Sequence, residues 1–359
     1  MQVFYRKYRP QRFEDVVGQE NTVLILKNAI AKKRLAHAYL FSGPRGTGKT
    51  TVARILAREA GCADEDIVEI DAASSRGIDE ARALREAVYT VPLRSPYKFY
   101  IIDEVHMLTR EAFNALLKTI EEPPSHIVFV LATTELEKVP ETIVSRTQNF
   151  VFKKIPIPSI VSELERIAKA EGLNAEDDAL KLIAFFAEGS LRDAENILFQ
   201  ASSLGEKAIK EESIRLLLGA PEEESVNKIT ELSLSKKLPE MLSCFDKTME
   251  EGIDPALLGR LLLRNYRAIF FLSLDQKTEE ILKHEFSADE IVFFKTLAIA
   301  GSTHLGFAVR EILEALRMRL DDASLHIPLE LALIKIAAFK LPGLDSNQDT
   351  GLQRPMSYR

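Results

Sequence analysis

Residues 43–50 (GPRGTGKT) match the phosphate-loop pattern G-x-x-x-x-G-K-[ST], the feature that most constrains how this chain can fold. An apolar run at 37–42 (HAYLFS) precedes the loop, and a helix-forming stretch at 50–60 follows it. In this context the glycines let backbone N–H groups turn inward around phosphates, and the helix points its positive end at them. Lys49 would reach the β- and γ-phosphates, and the Thr50 hydroxyl would bind Mg²⁺. The residues predicted to contact the nucleotide are Gly43, Pro44, Arg45, Gly46, Thr47, Gly48, Lys49, Thr50 and Thr51.

Strand-like and helix-like stretches alternate through the first 155 residues. The predicted strands are 37–42, 67–71, 99–103, 127–133 and 149–153, and the predicted helices between them are 50–60, 79–88, 110–120 and 140–145. Such alternation favours a parallel sheet with helices on both faces. Several of the strands are apolar throughout, as burial on both sides requires. We therefore predict an α/β phosphate-loop NTPase domain built on a parallel five-stranded sheet.

The pattern changes at residues 155–158 (IPIP), a predicted hinge, because each proline restricts itself and the residue before it. Everything that follows is predicted to be helical. The helical segments are 162–170, 175–187, 190–203, 211–218, 254–274 and 306–320. We predict a nucleotide-binding domain at 1–156, a helical lid at 157–219, a helical collar at 220–341 and a disordered tail at 342–359.

A second motif, residues 101–106 (IIDEVH), is an apolar strand that ends in two carboxylates. Asp103 would hold Mg²⁺, and Glu104 would polarise the attacking water. His106 is predicted to be structural, since no second ligand stands at metal-binding spacing from it.

An NTPase also needs a positive charge near the γ-phosphate, supplied by its own chain or by a neighbour. Arg146 and Arg192 are both candidates, and the residue pattern alone leaves the choice open. The N-terminal stretch 5–10 (YRKYRP) interleaves cations with aromatic rings. It favours packing or formation of the nucleotide pocket over contact with DNA.

Composition excludes several classes of protein. With 47 Lys and Arg against 54 Asp and Glu, the net charge is −7, so the chain cannot bind nucleic acid through overall positive charge, although a local patch could. Two cysteines, Cys62 and Cys244, cannot form a disulfide framework or a four-thiolate zinc site. The chain has no run of 18 apolar residues and no apolar signal core near its start. We expect a soluble, cytoplasmic protein without a membrane partner.

In combination these motifs resemble the AAA+ ATPases of DNA replication, and specifically the gamma/tau subunit family of the bacterial DNA polymerase III clamp loader. The resemblance runs from Tyr5 to about Leu341. Its most telling stretches are 5–10, 15–19 (DVVGQ), 71–74 (DAAS), 102–108 (IDEVHML), 113–124 (FNALLKTIEEPP), 131–134 (LATT) and 189–193 (GSLRD).

The resemblance implies roles for residues whose function the pattern alone leaves open. Arg146 matches the arginine finger that reaches the ATP site of the neighbouring subunit. Thr134 matches the sensor-1 position, and Arg192 matches the sensor-2 arginine that reads the γ-phosphate from the lid. Val17 and Gly18 fall where the family lines its adenine pocket.

The resemblance also implies a function. Such a subunit uses ATP and Mg²⁺ within a five-membered ring to open the sliding clamp and load it onto primer–template DNA. The implied partners are delta, delta-prime and further gamma/tau copies, the sliding clamp and the DNA. A non-hydrolysing scaffold subunit of the same complex is the first alternative. A DExH-type helicase, suggested by residues 103–106, is the second, although it would need a second motor domain that the helical remainder does not provide.

Three departures from the family pattern stand out. Cys62 lies where members carry a four-cysteine zinc module, but residues 61–66 run straight on to Ile67, so we predict no zinc. Thr147 replaces the cysteine that follows the arginine finger. The sequence ends after the collar without the tau-type extension, as in a short gamma-like form or an incomplete gene product. Arg76 is the cation we expect to face DNA.

Overall fold

The computed structural model describes residues 2–74, 87–205, 208–318 and 326–340. Two compact units make up the chain, Met1–Ile209 and Lys210–Arg359. The helix Glu211–Leu218, which the sequence analysis assigned to the lid, falls in the second unit. The division into lid and collar at residue 219 stays a prediction. Most of the predicted helix at 79–88, and all of Arg76 and the 342–359 tail, lie outside the described residues.

A five-stranded parallel sheet forms the centre of the first unit, as the sequence predicts. Its strands are β1 (Ala38–Ser42), β2 (Ile67–Asp71), β3 (Lys98–Asp103), β4 (Ile127–Thr133) and β5 (Gln148–Val151). They are arranged in the order β2-β3-β4-β1-β5. All residues of β1 and β4 are buried, which explains why these strands are apolar on both faces.

Helices cover both faces of the sheet. Those of the first unit are α1 (Phe4–Lys7), α2 (Glu20–Ala31), α3 (Lys49–Glu59), α4 (Arg110–Glu121), α5 (Glu141–Val144), α6 (Ile157–Glu171), α7 (Asp177–Phe186) and α8 (Leu191–Ser202). Successive side chains of β1 enter opposite cores: Tyr39 and Phe41 pack in the cluster that contains Leu56 of α3, and Leu40 packs in the cluster that contains Phe113 of α4. The sheet is therefore sandwiched between two helical layers.

The second unit is helical throughout its described residues. Its helices are α9 (Glu211–Leu218), α10 (Glu223–Leu234), α11 (Leu238–Glu250), α12 (Pro255–Leu274), α13 (Glu279–Leu282), α14 (Ala288–Leu297), α15 (Ser302–Arg317) and α16 (His326–Ala337). No single helix among the described residues has the length and apolar character needed to cross a membrane. Ala288–Ala300 and Ser302–Arg317 together have the required length and apolar character, but the two segments are bent by 109° relative to each other.

Asp66 stabilises the connection that leads into β3. Its carboxylate is fully buried and accepts hydrogen bonds from the backbone N–H groups of Leu93 (2.6 Å), Arg94 (3.0 Å) and Ser95 (3.0 Å). Burial alone would raise the pKa of Asp66, but these hydrogen bonds outweigh it and lower the pKa to about 2. The charged carboxylate therefore holds the 93–95 turn against the start of β2.

We expect Asp66→Asn to lower the free energy of unfolding by about 2 kcal/mol at neutral pH, since an amide cannot accept all three bonds. The stabilisation is present above the ordinary pKa of an aspartate and is lost as the pH falls through about 2. Urea unfolding between pH 2 and 7 measures both effects.

Asp64→Asn is the matched control, because Asp64 belongs to the same turn as Asp66 but is 69% exposed and forms a surface ion pair with Arg58 of α3. Equal losses of stability in the two variants would contradict the role assigned to the buried carboxylate.

Candidate nucleotide-binding site

The loop between β1 and α3 has a backbone that only glycine adopts without strain. Gly43, Gly46 and Gly48 have φ angles of 140°, 72° and 98°. A Cβ atom at Gly43 would lie 2.2 Å from the carbonyl oxygen of Phe152, and one at Gly46 would lie 1.9 Å from Ser190 Oγ. The loop is thus packed between the end of the sheet and the start of α8, and its turns form the cradle that a phosphate group requires.

Lys49 begins α3 and is almost fully buried in the loop. Its Nζ donates hydrogen bonds to the carbonyl oxygens of Gly43 (2.7 Å) and Pro44 (2.8 Å). Burial lowers the pKa of Lys49, and the negative charges of Glu104 and Asp103 partly offset that effect. The ammonium group is therefore held at the mouth of the loop, where phosphate oxygens would approach.

The Thr50 hydroxyl donates a 2.7 Å hydrogen bond to Oδ2 of Asp103. This bond joins the first turn of α3 to the end of β3. A hydroxyl and a carboxylate are oxygen donors of the kind that Mg²⁺ accepts beside a phosphate. The structure thus brings Thr50 and Asp103 into direct contact, and their role as Mg²⁺ ligands stays a prediction.

Glu104 follows directly, in the left-handed backbone conformation (φ 47°), and its N–H donates to Asp103 Oδ1 at 2.9 Å. The Thr134 hydroxyl donates to Glu104 Oε2 at 3.1 Å. The predicted sensor-1 residue therefore contacts the predicted catalytic carboxylate. The contact crosses from the end of β4 to the end of β3, which are neighbouring strands.

Sequence reasoning gave His106 only a structural role, but the structure places its ring beside Glu104. His106 Nδ1 lies 3.4 Å from Glu104 Oε2 and 3.0 Å from Thr133 Oγ1, and Nε2 lies 3.2 Å from Glu135 Oε1. The imidazole side chain is only 5% exposed. The ring therefore lies against the Glu104 carboxylate, a contact that spacing in the sequence could not reveal.

Two further segments complete the walls of the pocket. The N-terminal segment contributes Tyr5, Arg9 and Pro10, in agreement with the expectation that residues 5–10 form part of the pocket. The start of α8 contributes Arg192, whose guanidinium lies 4.8 Å from the centre of the Tyr5 ring. The pocket is also lined by Val16, Val17, Arg45, Gly46, Thr47, Gly48, Lys49, Thr50, Thr51, Asp103, Glu104, Ile155, Leu191 and Glu195.

Five of the predicted residues lie outside that lining: Gly18, Gly43, Pro44, Thr134 and Arg146. Gly18 (φ 76°) packs behind it, and a Cβ atom there would lie 3.2 Å from the Ile155 side chain. Arg146 lies at the surface, where its Nε is 2.6 Å from Glu121 Oε1 and its side chain is 41% exposed. Its own chain does not bring Arg146 to the phosphate loop, so an action on a neighbouring subunit stays a prediction.

A glycine cradle, a buried lysine and the Thr50–Asp103 pair on this parallel sheet define a phosphate-loop nucleotide-binding protein of the AAA+ type. Two family models match the chain: "DNA polymerase III, delta subunit" over residues 18–76 and 63–156, and "DNA polymerase III clamp loader subunit, ATPase lid domain" over 159–207. The chain belongs to the family of gamma/tau clamp-loader subunits of DNA polymerase III.

Relatives in two bacteria illustrate the family. The tau subunit of Bacillus subtilis DNA polymerase III is 43% identical over 303 residues, which cover 79% of this chain and 54% of the relative. The gamma subunit of Buchnera aphidicola (subsp. Acyrthosiphon pisum) is 36% identical over 296 residues, which cover 77% of this chain and 81% of the relative. This chain spans about half the length of the tau relatives it matches.

Solved structures agree on the fold. A lysine-to-arginine mutant of RuvB from Thermotoga maritima aligns with a TM-score of 0.50 at 21% identity, over 63% of this chain and 79% of the RuvB chain. At that identity the likeness concerns the fold alone.

The contact between Gly46 and Ser190 yields a stability prediction. We expect Gly46→Ala to destabilise the first unit by about 2 kcal/mol more than Gly48→Ala, since both have positive φ but only Gly46 faces a neighbour within 4 Å. Thermal unfolding of the purified chain measures the difference.

When combined with Gly46→Ala, the substitution Ser190→Gly should restore most of the lost stability, because it removes the Oγ and Cβ atoms that the new methyl group would meet. A glycine at this helix N-cap costs only a few tenths of a kcal/mol. A rescue that fails would show that the loop and α8 do not pack as described.

Proposed function

We propose that this chain is an ATP-hydrolysing motor subunit of a bacterial replicative clamp loader. One observation carries the proposal: a single pocket gathers the Lys49 ammonium, the Thr50–Asp103 pair and the Glu104 carboxylate. A subunit that served only as a non-hydrolysing scaffold would have no need to keep all four of these residues in one pocket. A DExH-type helicase would need a second sheet-based motor domain, whereas the described residues of the second unit are helical.

The relatives' names support the choice of assembly, since they are subunits of DNA polymerase III. On this proposal the partners are delta, delta-prime and further gamma/tau copies, the sliding clamp and primer–template DNA. The chain would use ATP to open the clamp and load it onto that DNA, in the bacterial cytoplasm.

Four side chains of the pocket would contact the phosphates or their metal ion, each in a different role. Thr50 and Asp103 would hold Mg²⁺ with bound ATP, and the ion would neutralise charge on the β- and γ-phosphates. Lys49 would exchange its two carbonyl partners, Gly43 and Pro44, for phosphate oxygens without leaving the loop. Arg192 would approach the γ-phosphate from the start of α8.

Glu104 would orient the attacking water and accept its proton. Its carboxylate needs a fixed direction for that role, and two neighbours supply it: the Thr134 hydroxyl and the His106 ring. A neighbouring subunit would contribute Arg146, whose partners in its own chain are the exposed Glu121 carboxylate and the Thr142 carbonyl.

We expect Glu104→Gln to lower the ATPase rate stimulated by clamp and primed DNA by about 100-fold or more, because the amide cannot accept a proton. ATP affinity should change little, since Lys49 and the glycine loop remain. The assay uses the reconstituted complex, with steady-state hydrolysis and equilibrium ATP binding measured side by side.

Glu137→Gln serves as the control, because Glu137 is exposed on the turn that follows Thr134. A stimulated rate that survives Glu104→Gln would refute the assignment of Glu104.

For Arg146→Ala, we expect normal ATP binding at the subunit's own site and a loss of about 1000-fold in hydrolysis at the adjacent site. Glu121→Gln should leave both properties intact, since it removes the surface partner and keeps the guanidinium. Rings that contain one variant subunit, assayed by single-turnover hydrolysis, separate the two sites. Loss confined to the variant's own site would exclude action on the neighbour.

A further inference from the structure

Glu195 is a buried acid in the nucleotide pocket for which the proposed hydrolysis has no use. It lies on α8 and is only 5% exposed, yet it lines the pocket together with Leu191, one helical turn earlier on the same face. Within the part of the chain that the structure describes, no hydrogen bond or ion pair reaches its carboxyl group. A buried polar side chain without a partner at the wall of a pocket points to a ligand that supplies one.

The position of Glu195 along α8 indicates which part of a nucleotide it would meet. The helix starts at the phosphate loop, where Leu191 N donates to the Gly46 carbonyl at 3.1 Å. Glu195 lies about 6 Å further along the helix axis, away from the loop. With its phosphates on the loop, a nucleotide would extend its base toward the apolar wall formed by Val17 and Ile155. The lining contains three acids, and Asp103 and Glu104 lie on the side of Thr50 and Thr134, so we take Glu195 as the acid that the base would meet.

The surroundings of Glu195 favour its neutral form. Burial, and to a smaller extent the charge of Glu163, raise the pKa of Glu195, whereas the charges of Arg166 and Arg9 lower it. The net result is a pKa of about 8. The other charged or titratable side chains named along this wall are Arg192 on the same helix and Tyr5, whose ring lies beside Arg192. A neutral carboxyl both donates and accepts a hydrogen bond, whereas a carboxylate only accepts.

We propose that the Glu195 side chain recognises the base as a 6-aminopurine. Its carbonyl oxygen would accept from the 6-amino group of adenine, and its O–H would donate to the flanking ring nitrogen. This inference rests on the proposed function only in placing the phosphates on the loop. It adds a hydrogen-bonding specificity determinant beside the apolar side chains of Val17 and Ile155.

The test compares wild-type chain with Glu195→Gln and Glu195→Leu by calorimetric titration with ATP and with purine riboside triphosphate, which lacks the 6-amino group. We expect wild type and Glu195→Gln to bind ATP about tenfold more tightly than the analogue, because the amide also accepts and donates. Glu195→Leu should bind the two ligands with equal affinity, close to the affinity of wild type for the analogue. Asp193→Asn, on the same turn of α8, is the control and should behave as wild type.

The pH profile distinguishes base recognition from a structural role. Wild-type affinity for ATP should fall as the pH rises through about 8, because the ionised carboxylate loses its O–H donor. Glu195→Gln should show no such fall. Stability should also decline with rising pH in wild type alone, since the buried acid resists ionisation.

The outcomes separate this inference from the proposed function. ATP preference that persists in Glu195→Leu, or its loss in Glu195→Gln, overturns the assignment of Glu195 and leaves the motor function standing. Wild-type protein that binds neither triphosphate overturns the proposed function itself.

Discussion

The whole site depends on the parallel arrangement of the sheet. Because β1, β3 and β4 run in the same direction, the residues that follow each strand meet at one edge. The phosphate loop follows Ser42, Glu104 follows Asp103, and Thr134 follows Thr133. The Thr50–Asp103 and Thr134–Glu104 hydrogen bonds join these strand ends directly. If β3 were reversed, its carboxylates would lie at the far edge, and neither bond could form.

The charge of the pocket is set locally and differs from that of the whole chain. The net charge is −7, yet the lining of the pocket contains Arg9, Arg45, Lys49 and Arg192. Two acids, Asp103 and Glu104, lie where a divalent cation would compensate them, and a third, Glu195, is held neutral by burial. Charges that are buried or close together act more strongly than the average over the surface. Net charge therefore says little about what this pocket binds.

The sequence predicted those features that depend on neighbours along the chain. Each strand was predicted to within about two residues. For β1 and β4 the reason is burial on both faces, which makes their composition apolar, whereas the edge strands β2 and β5 are only partly buried. The helix α2 was not predicted, since Leu24 and Ile25 are exposed and blur its apolar face. The helices α10, α11, α14 and α16 were not predicted as separate segments either, and in α14 and α16 the apolar residues follow no clear helical period.

Functional roles that depend on tertiary contacts were harder to predict. His106 lies next to Glu104 only because the turn after β3 returns it to the ends of the strands. Glu195 occupies an ordinary polar position in the pattern of an amphipathic helix, and only the fold shows that the position is buried. The ion pair between Arg146 and Glu121 lies at the surface, and the spacing of the two residues in the sequence did not indicate it.

The start of α8 is anchored to the nucleotide-binding domain on two sides. Leu191 N donates to the carbonyl of Gly46 in the phosphate loop, and the Gly189 carbonyl accepts from Ile155 N beside the apolar wall. Between these anchors Ser190 caps the helix through Asp193 N, so the first turn is rigidly defined. Arg192 and Glu195 project from that turn and the next. A displacement of the loop by bound phosphates would therefore move both side chains together, and the same short helix would couple occupancy at the phosphates to contact with the base.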